Sequence, residues 1–185
     1  MLLFLKIKHW QLFIITWAFT CIAILIGFFD IGLALTLIPI VLITGSIGFF
    51  GWIYSIGTTL HPLLPSDIKM NIRLFKNALI IPIIFMFLLI SWISLTYFNQ
   101  LPDISDISAT RIATIVVPLH LLSLVIISWA IIFVSKIIKA VEIQRSVRFH
   151  EITLEFFQIW FSVIGIWSLQ PKLNRIVTEL ETSNK

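Results

Sequence analysis

The stretch IATIVVPLHLLSLVIISWAIIFVS, residues 112–135, contains 24 consecutive residues without a formal charge. As an α-helix it would extend about 36 Å, which exceeds the ~30 Å hydrocarbon thickness of a bilayer. Comparable uncharged runs occupy residues 10–29, 31–60 and 77–102. Lipid cannot satisfy backbone polar groups, so such runs predict helices. We therefore predict an all-α polytopic membrane protein that crosses the membrane four times, near residues 10–29, 33–56, 78–98 and 113–134.

The composition agrees with a bilayer environment. Hydrophobic residues make up 59% of the 185-residue chain and charged residues only 12%, whereas a soluble domain has about 25% charged residues. The seven Trp residues are typical of proteins whose aromatic rings anchor at membrane interfaces. The single cysteine, Cys21, excludes an intrachain disulfide. The first run has no small-x-small cleavage site, so we interpret it as a crossing and not as a signal peptide.

The distribution of Lys and Arg predicts the orientation, because short cytoplasmic loops are rich in these residues. Nine of them lie before the first run, between the second and third, or after the fourth: Lys6, Lys8, Lys69, Arg73, Lys76, Lys136, Lys139, Arg145 and Arg148. The opposite loops carry Arg111 together with Asp30, Asp103 and Asp106. We therefore expect both termini to be cytoplasmic, in a bacterial inner membrane.

A Trp-rich segment near the carboxyl terminus is too short for an ordinary crossing. Residues 156–171 contain 16 uncharged residues, which reach only about 24 Å as a helix. We expect an interfacial, re-entrant or protein-packed helix that ends at Pro171, and a fifth crossing is the alternative. This divides the chain into a transmembrane domain, residues 1–135, and a cytoplasmic helical extension, residues 136–185, in which Trp160 and Trp167 would contact a partner.

The amino-acid sequence of this segment, IWFSVIGIWSLQPKLNRI (159–176), resembles that of a known family. It resembles a carboxyl-terminal W-F-x-x-G-I-W-x-x-Q-P-x-x-N segment of small polytopic membrane proteins of the Bacteroidota, although three residues separate Phe161 from Gly165 here. The resemblance covers about twenty residues. It implies a shared carboxyl-terminal structure, and it brings no activity, substrate or catalytic residue.

Two features inside the predicted crossings suggest either close helix packing or a pore. The second crossing carries small and hydroxylated residues three or four apart, which allow another backbone to approach: Thr44, Gly45, Gly48, Gly51 and Ser55. The fourth crossing contains His120, a titratable group well inside a run. This histidine either donates to a backbone carbonyl freed by Pro118 or lines a pore as a proton-sensitive group.

The predicted cytoplasmic loops provide candidate binding residues. A helix capped by Ser66 would present Lys69, Arg73 and Lys76 on one face. After the fourth crossing, Lys136, Lys139, Arg145 and Arg148 would wind around a continuous projecting helix. Such residues suit an anionic ligand, for example a nucleotide or oligonucleotide, or a soluble protein partner. The orientation rule alone would also produce them.

The sequence offers no recognisable catalytic machinery. The four histidines are scattered, and no zinc-hydrolase motif, glycine-rich phosphate loop or cysteine pair is present. We therefore expect a protein that is not an enzyme and that uses neither a metal nor a cofactor. The leading hypothesis is a homo-oligomeric channel or pore-type effector gated through its basic helices. Small bacterial anti-phage membrane effectors have this general shape, and the comparison with them is an analogy only. The alternative is a non-catalytic scaffold or accessory subunit of an envelope complex.

Overall fold

A computed structural model of the chain describes residues 3–97 and 109–183, with side chains described for residues 4–92 and 114–179. These parts consist of helices and short connections without a strand, which confirms the all-α prediction. Asp103 and Asp106 lie outside the described residues, as does the side chain of Arg111. The α-helices are α1 (Leu3–Lys6), α2 (His9–Phe13), α3 (Phe19–Gly27), α4 (Ile31–Thr36), α5 (Ile38–Leu60), α6 (Ile72–Tyr97), α7 (Ala109–Ile143), α8 (Thr153–Trp160) and α9 (Ser162–Ser183).

Within the described residues, four segments are long and apolar enough to cross a membrane, as predicted. They are His9–Gly27, Ile38–Leu63, Ile72–Trp92 and Thr114–Ile143. The first combines α2 and α3 through a π-helical turn, Ile14–Ala18. The pair α8 and α9 would count as a fifth segment only if its bend of 118° lay within one span. The structure therefore agrees with four crossings.

The second span begins later than predicted, at Ile38 and not at residue 33. The short helix α4 precedes it, with Asp30 accepting a hydrogen bond from the Leu33 amide over 3.0 Å. A new helix starts after Leu37 because Pro39 fits the first turn, where its missing N–H costs no helical hydrogen bond.

The buried core lies towards one end of the bundle, which we call the basic end. Helices α2 and α6 begin at this end, and helices α5 and α7 end there. The ring of Phe75, at the start of α6, stacks on Phe133 of α7 with centroids 4.7 Å apart. Further core side chains come from α5, α7, α8 and α9: Trp52, Ile53, Ile56, Leu60, Ala130, Ile137, Ile138, Ile159, Ile166, Leu169 and Leu173. By contrast, α3 has no buried residue. The tight packing is thus concentrated in the half of the bundle nearest the basic end.

The prediction that a basic helix starts after Ser66 is wrong. Helix α6 begins at Ile72, and Asn71 caps it by accepting a hydrogen bond from the Leu74 amide over 3.0 Å. The preceding chain is held in an irregular path because the Nε2 atom of His61 lies 2.8 Å from the Met70 carbonyl oxygen. Lys69 therefore lies in a loop, and it does not share a helical face with Arg73 and Lys76.

The continuous helix predicted through Arg148 is also wrong. Helix α7 ends at Ile143, and Gln144 adopts a left-handed conformation with φ 52°. Its side-chain amide donates to the Val141 carbonyl over 2.8 Å, which satisfies an acceptor at the helix end. Arg145 and Arg148 therefore lie in the connection to α8.

The Trp-rich segment forms a helical hairpin, α8 followed by α9, that bends by 118° at Phe161. The expected break at Pro171 is wrong, because α9 continues through it. A proline removes one helical hydrogen bond, but the adjacent residues Leu169, Gln170 and Leu173 are fully buried and hold the helix in place. The domain boundary predicted at residue 135 falls inside α7, and one core includes residues from both sides of it.

Candidate functional site

The tip of the α8–α9 hairpin depends on a close backbone approach at Gly165. A Cβ atom on this residue would lie 1.6 Å from the carbonyl oxygen of Gln158. The Gly165 amide donates to the Phe161 carbonyl over 2.9 Å, and the Gln158 side-chain amide donates to the Ser168 hydroxyl over 3.0 Å. Only glycine fits this turn without a shift of the backbone.

A buried polar clamp joins α9 to the amino-terminal segment. Gln170 is completely buried, and its Oε1 atom accepts a hydrogen bond from the Trp52 indole over 2.8 Å. Its Nε2 atom donates to the carbonyls of Phe4, at 2.8 Å, and Ile7, at 3.0 Å. The Asn174 amide donates to the Ile7 carbonyl over 3.2 Å. These bonds fix the position of the connection between α1 and α2, where the helical hydrogen bonding is interrupted.

A second polar cluster joins α7, α8 and α9. The Glu155 side chain is 1% exposed and accepts a hydrogen bond from Lys172 Nζ over 3.0 Å, with Lys139 Nζ at 3.7 Å. The same two ammonium groups contact Glu142, at 2.8 Å for Lys172 and 3.0 Å for Lys139. Two cations and two anions thus neutralise one another, although the second oxygen of Glu155 has no hydrogen-bond partner among the described residues.

The predicted partner residues Trp160 and Trp167 lie on opposite arms of the hairpin, and both are partly exposed. Trp160 stacks on Phe156 with centroids 5.7 Å apart. Trp167 contacts His9, at 4.9 Å between ring centroids, and Phe13, at 5.5 Å. Trp160 also lines a groove with residues from the middle of the spans. The hairpin therefore starts at the basic end and reaches the level of the middle of the bundle.

The small residues of α5 pack against the chain's own amino-terminal helices. A Cβ atom on Gly48 would lie 2.4 Å from the Thr16 hydroxyl, and one on Gly51 would lie 2.8 Å from the Phe4 ring. Gly45 faces the Thr16 carbonyl at 3.5 Å. Ser55 is buried, and the Thr44 hydroxyl donates to the Ile40 carbonyl of its own helix over 2.8 Å. This small-residue surface is thus occupied within one chain.

His120 is exposed on the surface of α7. Its ring contacts Phe85 of α6, with centroids 5.8 Å apart. It lies nine residues after Arg111, about 13 Å along the helix. An exposed imidazole therefore lies within the apolar part of the bundle surface.

The candidate anion-binding residues fall into two groups. Lys139 belongs to the cluster around Glu155, and the Arg145 guanidinium binds both carboxylate oxygens of Glu151. That guanidinium, together with the Arg148 amide, lowers the pKa of Glu151 to about 2. Of the others, Lys69, Arg73 and Arg148 are exposed, Lys136 is half-buried, and Lys76 Nζ lies 6.0 Å from the centre of the Tyr54 ring.

Five residues with extensive contacts in the structure were not predicted as site residues: Trp52, Glu155, Gln170, Lys172 and Asn174. Gln170 and Asn174 belong to the conspicuous carboxyl-terminal segment, so their position in it was a signal. For Trp52 and Glu155 the sequence contains no such signal, because their partners are distant in sequence. The described residues contain no group of three or more His, Cys, Asp or Glu side chains that could hold a metal ion.

Comparisons with known proteins do not extend this description. No family model matches the chain, and neither the curated proteins nor the solved structures provide a significant match. The resemblance of residues 159–176 to Bacteroidota membrane proteins stays a prediction. Its glycine, glutamine and asparagine nevertheless have defined structural roles here, in the hairpin tip and in the clamp.

Proposed function

We propose that this chain is a subunit of a homo-oligomeric membrane channel, in which the α7 face around His120 packs against neighbouring copies and borders the pore. The observation that supports it is the exposure of His120 in an otherwise apolar surface. Titratable side chains inside a membrane almost always face a protein interior or a water-filled cavity. His120 is exposed in a single copy of the chain, so α7 of a second copy would bury it in the proposed oligomer.

The proposed assembly surface differs from the one that the sequence suggested. Gly48 and Gly51 contact Thr16 and Phe4 of the same chain, so they are unavailable to a neighbour unless the amino-terminal helices move. On α7, His120 is flanked by the exposed apolar side chains of Val117 and Leu124. Residues three and four apart share one helical face, which gives α7 a continuous surface for self-association.

The proposed gating ligand is anionic, as expected from the basic loops. Because Lys139 and Arg145 have carboxylate partners, the proposal relies on the other basic residues, namely Lys69, Arg73, Lys76, Lys136 and Arg148. A nucleotide or oligonucleotide binding there would act on α6 and α7 together. Such binding should weaken steeply with salt, because it releases counterions. A role in anti-phage defence is part of this proposal by analogy alone.

We place both termini in the cytoplasm of a bacterium, with the basic end at the cytoplasmic surface of the inner membrane. The distribution of Lys and Arg supports this orientation. A Lys185→Cys variant in a Cys21→Ser background should react with an impermeant maleimide only after the cells are opened. Labelling of intact cells would contradict the orientation without bearing on self-association.

The assembly can be tested by cross-linking in native membranes. In the Cys21→Ser background, His120→Cys should form disulfide-linked dimers on mild oxidation, whereas Ile83→Cys, on an exposed position of α6, should not. Purified protein in nanodiscs should have the mass of a closed oligomer, and liposomes containing it should conduct ions. A monomeric protein, with the two cysteine variants cross-linking to the same extent, would contradict the proposal.

An accessory subunit of a larger envelope complex is the second candidate. The observation that favours it is the apolar tip of the hairpin, where Phe157, Phe161 and Ile164 are 50%, 57% and 76% exposed. Gentle extraction followed by native mass spectrometry separates the two candidates. A stable complex with a larger membrane protein, lost in a Phe161→Ser and Ile164→Ser double variant, would favour the accessory role.

A further inference from the structure

The α8–α9 hairpin exposes a set of apolar side chains along both arms and at the bend. We call these residues the hairpin ridge: Phe157, Trp160, Phe161, Val163, Ile164 and Trp167. Ile164, next to the bend, is the most exposed of them. Large exposed apolar patches mark contacts with another protein or with a membrane. The ridge therefore lies against a partner or in lipid.

Charged residues bound the ridge on both arms. Glu155 precedes it and Lys172 follows it, and residues 156–171 between them carry no charge. The Lys172 Nζ atom lies 2.8 Å from the Glu142 carboxylate near the end of α7, so this arm returns to the basic end. Arg148 and Arg175, just outside the hairpin's uncharged part, are exposed. The charges thus lie at the level of the basic end, and the ridge lies beyond them.

The hairpin is long enough to enter the hydrocarbon region but too short to cross it. Its tip residues Trp160 and Ser162 lie beside Thr16 of the first span and Ile127 of the fourth, near the middle of both spans. Ser162 and Lys172 are ten positions apart, which is about 15 Å along a helix. The hydrocarbon region is ~30 Å thick. The tip therefore reaches about half of that thickness.

The polar groups of the hairpin pair with one another. The Gln158 side-chain amide donates to the Ser168 hydroxyl over 3.0 Å, and this hydroxyl donates to the Gly165 carbonyl over 3.1 Å. At the bend, the Phe161 amide donates to the Phe157 carbonyl over 2.8 Å. Of residues 156–171, all of which the structure describes, only Ser168 is both polar and exposed. Lipid offers no hydrogen-bond partner, so a segment within it requires such internal pairing.

The ridge continues the exposed apolar surface of the first span. The Trp167 ring contacts Phe13 of that span, with centroids 5.5 Å apart, and the next residues, Ile14 and Ile15, are exposed. In a helix that crosses a bilayer, exposed apolar side chains face the acyl chains. Trp167 therefore lies at the edge of a lipid-facing surface.

The ridge differs from the surfaces through which membrane helices pack on one another. Such surfaces are enriched in small residues, because these allow two backbones to approach closely. The small residues of the hairpin bend face inward: Ser162 and Gly165 are buried, and Gly165 lies against the Gln158 backbone. The outward side consists of aromatic and branched side chains. Lipid is therefore favoured over a second protein as the neighbour of the ridge.

We propose that the α8–α9 hairpin is a re-entrant membrane element whose ridge contacts the acyl chains of one leaflet, the one at the basic end. Both arms would begin and end on the same side of the membrane, and the tip would stop near the bilayer middle. The proposal requires neither self-association nor a pore, so it stands apart from the proposed channel. It assigns to lipid the surface that the accessory role would assign to a larger protein.

Spin labelling tests this proposal in vesicles of phosphatidylcholine and phosphatidylglycerol. A nitroxide attached to Ile164→Cys, in the full chain with Cys21→Ser, should collide with oxygen, which concentrates in the hydrocarbon. It should collide little with a water-soluble nickel chelate. The matched controls are Thr153→Cys and Thr178→Cys, at exposed positions on the two arms outside the ridge. Labels at these two positions should collide readily with the nickel chelate.

Three results would overturn the proposal. Nickel access at Ile164→Cys equal to that at Thr178→Cys would place the ridge in water. A label at Ile164→Cys that neither reagent reaches would indicate that a protein covers the ridge. Reaction of Thr153→Cys and Thr178→Cys with an impermeant maleimide from opposite sides of the membrane would show a fifth crossing. If Ile164→Cys is unstable, Phe157→Cys on the first arm must give the same oxygen and nickel pattern.

Discussion

The indole of Trp52 and the side-chain amide of Gln170 form a buried hydrogen bond of 2.8 Å across 118 positions of the sequence. Gln170 also satisfies two carbonyls of the amino-terminal segment. One side chain therefore links the second span, the last helix and the first residues of the chain. No local pattern requires this arrangement, and it makes Gln170 a sensitive position for stability.

We expect Gln170→Leu to lower the free energy of unfolding by about 2 kcal/mol or more, because it leaves several buried polar groups without a partner. Trp52→Phe should cost less, and a double-mutant cycle should give a coupling of about 1 kcal/mol between the two positions. The measurement is reversible unfolding in mixed micelles. Additive effects of the two substitutions would show that the hydrogen bond does not form.

Gly165→Ala should disrupt the hairpin. The new methyl group would lie 1.6 Å from the Gln158 carbonyl oxygen, so the backbone must shift, at a cost of about 3 kcal/mol. Gly27→Ala is the matched control, because its Cβ atom would lie 3.5 Å from the Ala34 Cβ, an ordinary contact. Thermal unfolding should separate the two variants clearly. Equal melting temperatures would contradict the observed hairpin geometry.

Lys172→Met should destabilise the junction of α7, α8 and α9 by about 3 kcal/mol, because it leaves the buried Glu155 carboxylate poorly compensated. Arg175→Met removes an exposed ion pair at 3.8 Å and should cost less than about 1 kcal/mol. Adding Glu155→Leu to Lys172→Met should restore much of the stability. Lack of rescue would indicate that the ammonium group acts mainly through Glu142.

The connection after α7 should respond to acid. Hydrogen bonds from the Arg145 guanidinium, and then from the Arg148 amide, lower the pKa of Glu151 from 4.5 to about 2. A carboxyl group whose pKa is lower in the folded protein stabilises it fully above pH 4.5, and this contribution disappears as the pH falls towards 2. The stability difference between the parent and Glu151→Gln should therefore shrink over this interval. A difference independent of pH would exclude this ion pair as its source.

The sequence predicted the four spans well because run length and charge determine them. The hydrocarbon thickness sets a minimum length for an uncharged helix, and charged residues mark the limits of the apolar runs, as Lys76 does before the third run and Lys136 after the fourth. These signals are local and large. They required no knowledge of which helix contacts which, and the spans of the structure overlap all four predicted crossings.

Prediction failed where distant contacts override a local preference. Pro171 ordinarily ends a helix, but the buried neighbours Gln170 and Leu173 keep α9 intact. Helix α7, which forms the fourth span, ends at Ile143 because the next residue, Gln144, adopts a left-handed conformation without the usual signal of a glycine. The residues of the candidate site also divide into local and distant cases. Gly48 could be recognised as a packing position from its local pattern, whereas Glu155 and Lys172 could not be paired from their spacing.

The clamp also bears on the order in which the protein can be completed. The carbonyls of Phe4 and Ile7 receive the Gln170 hydrogen bonds from 166 and 163 positions later in the chain. A ribosome adds about 5–20 residues per second, so the amino-terminal segment waits roughly ten seconds or more for these partners. During that time Trp52 and the α1–α2 connection have no Gln170 to bind. Helix α9, which is synthesised after the four spans, thus locks the segment that precedes them, and a chain that terminates before Gln170 would insert its spans without closing its core.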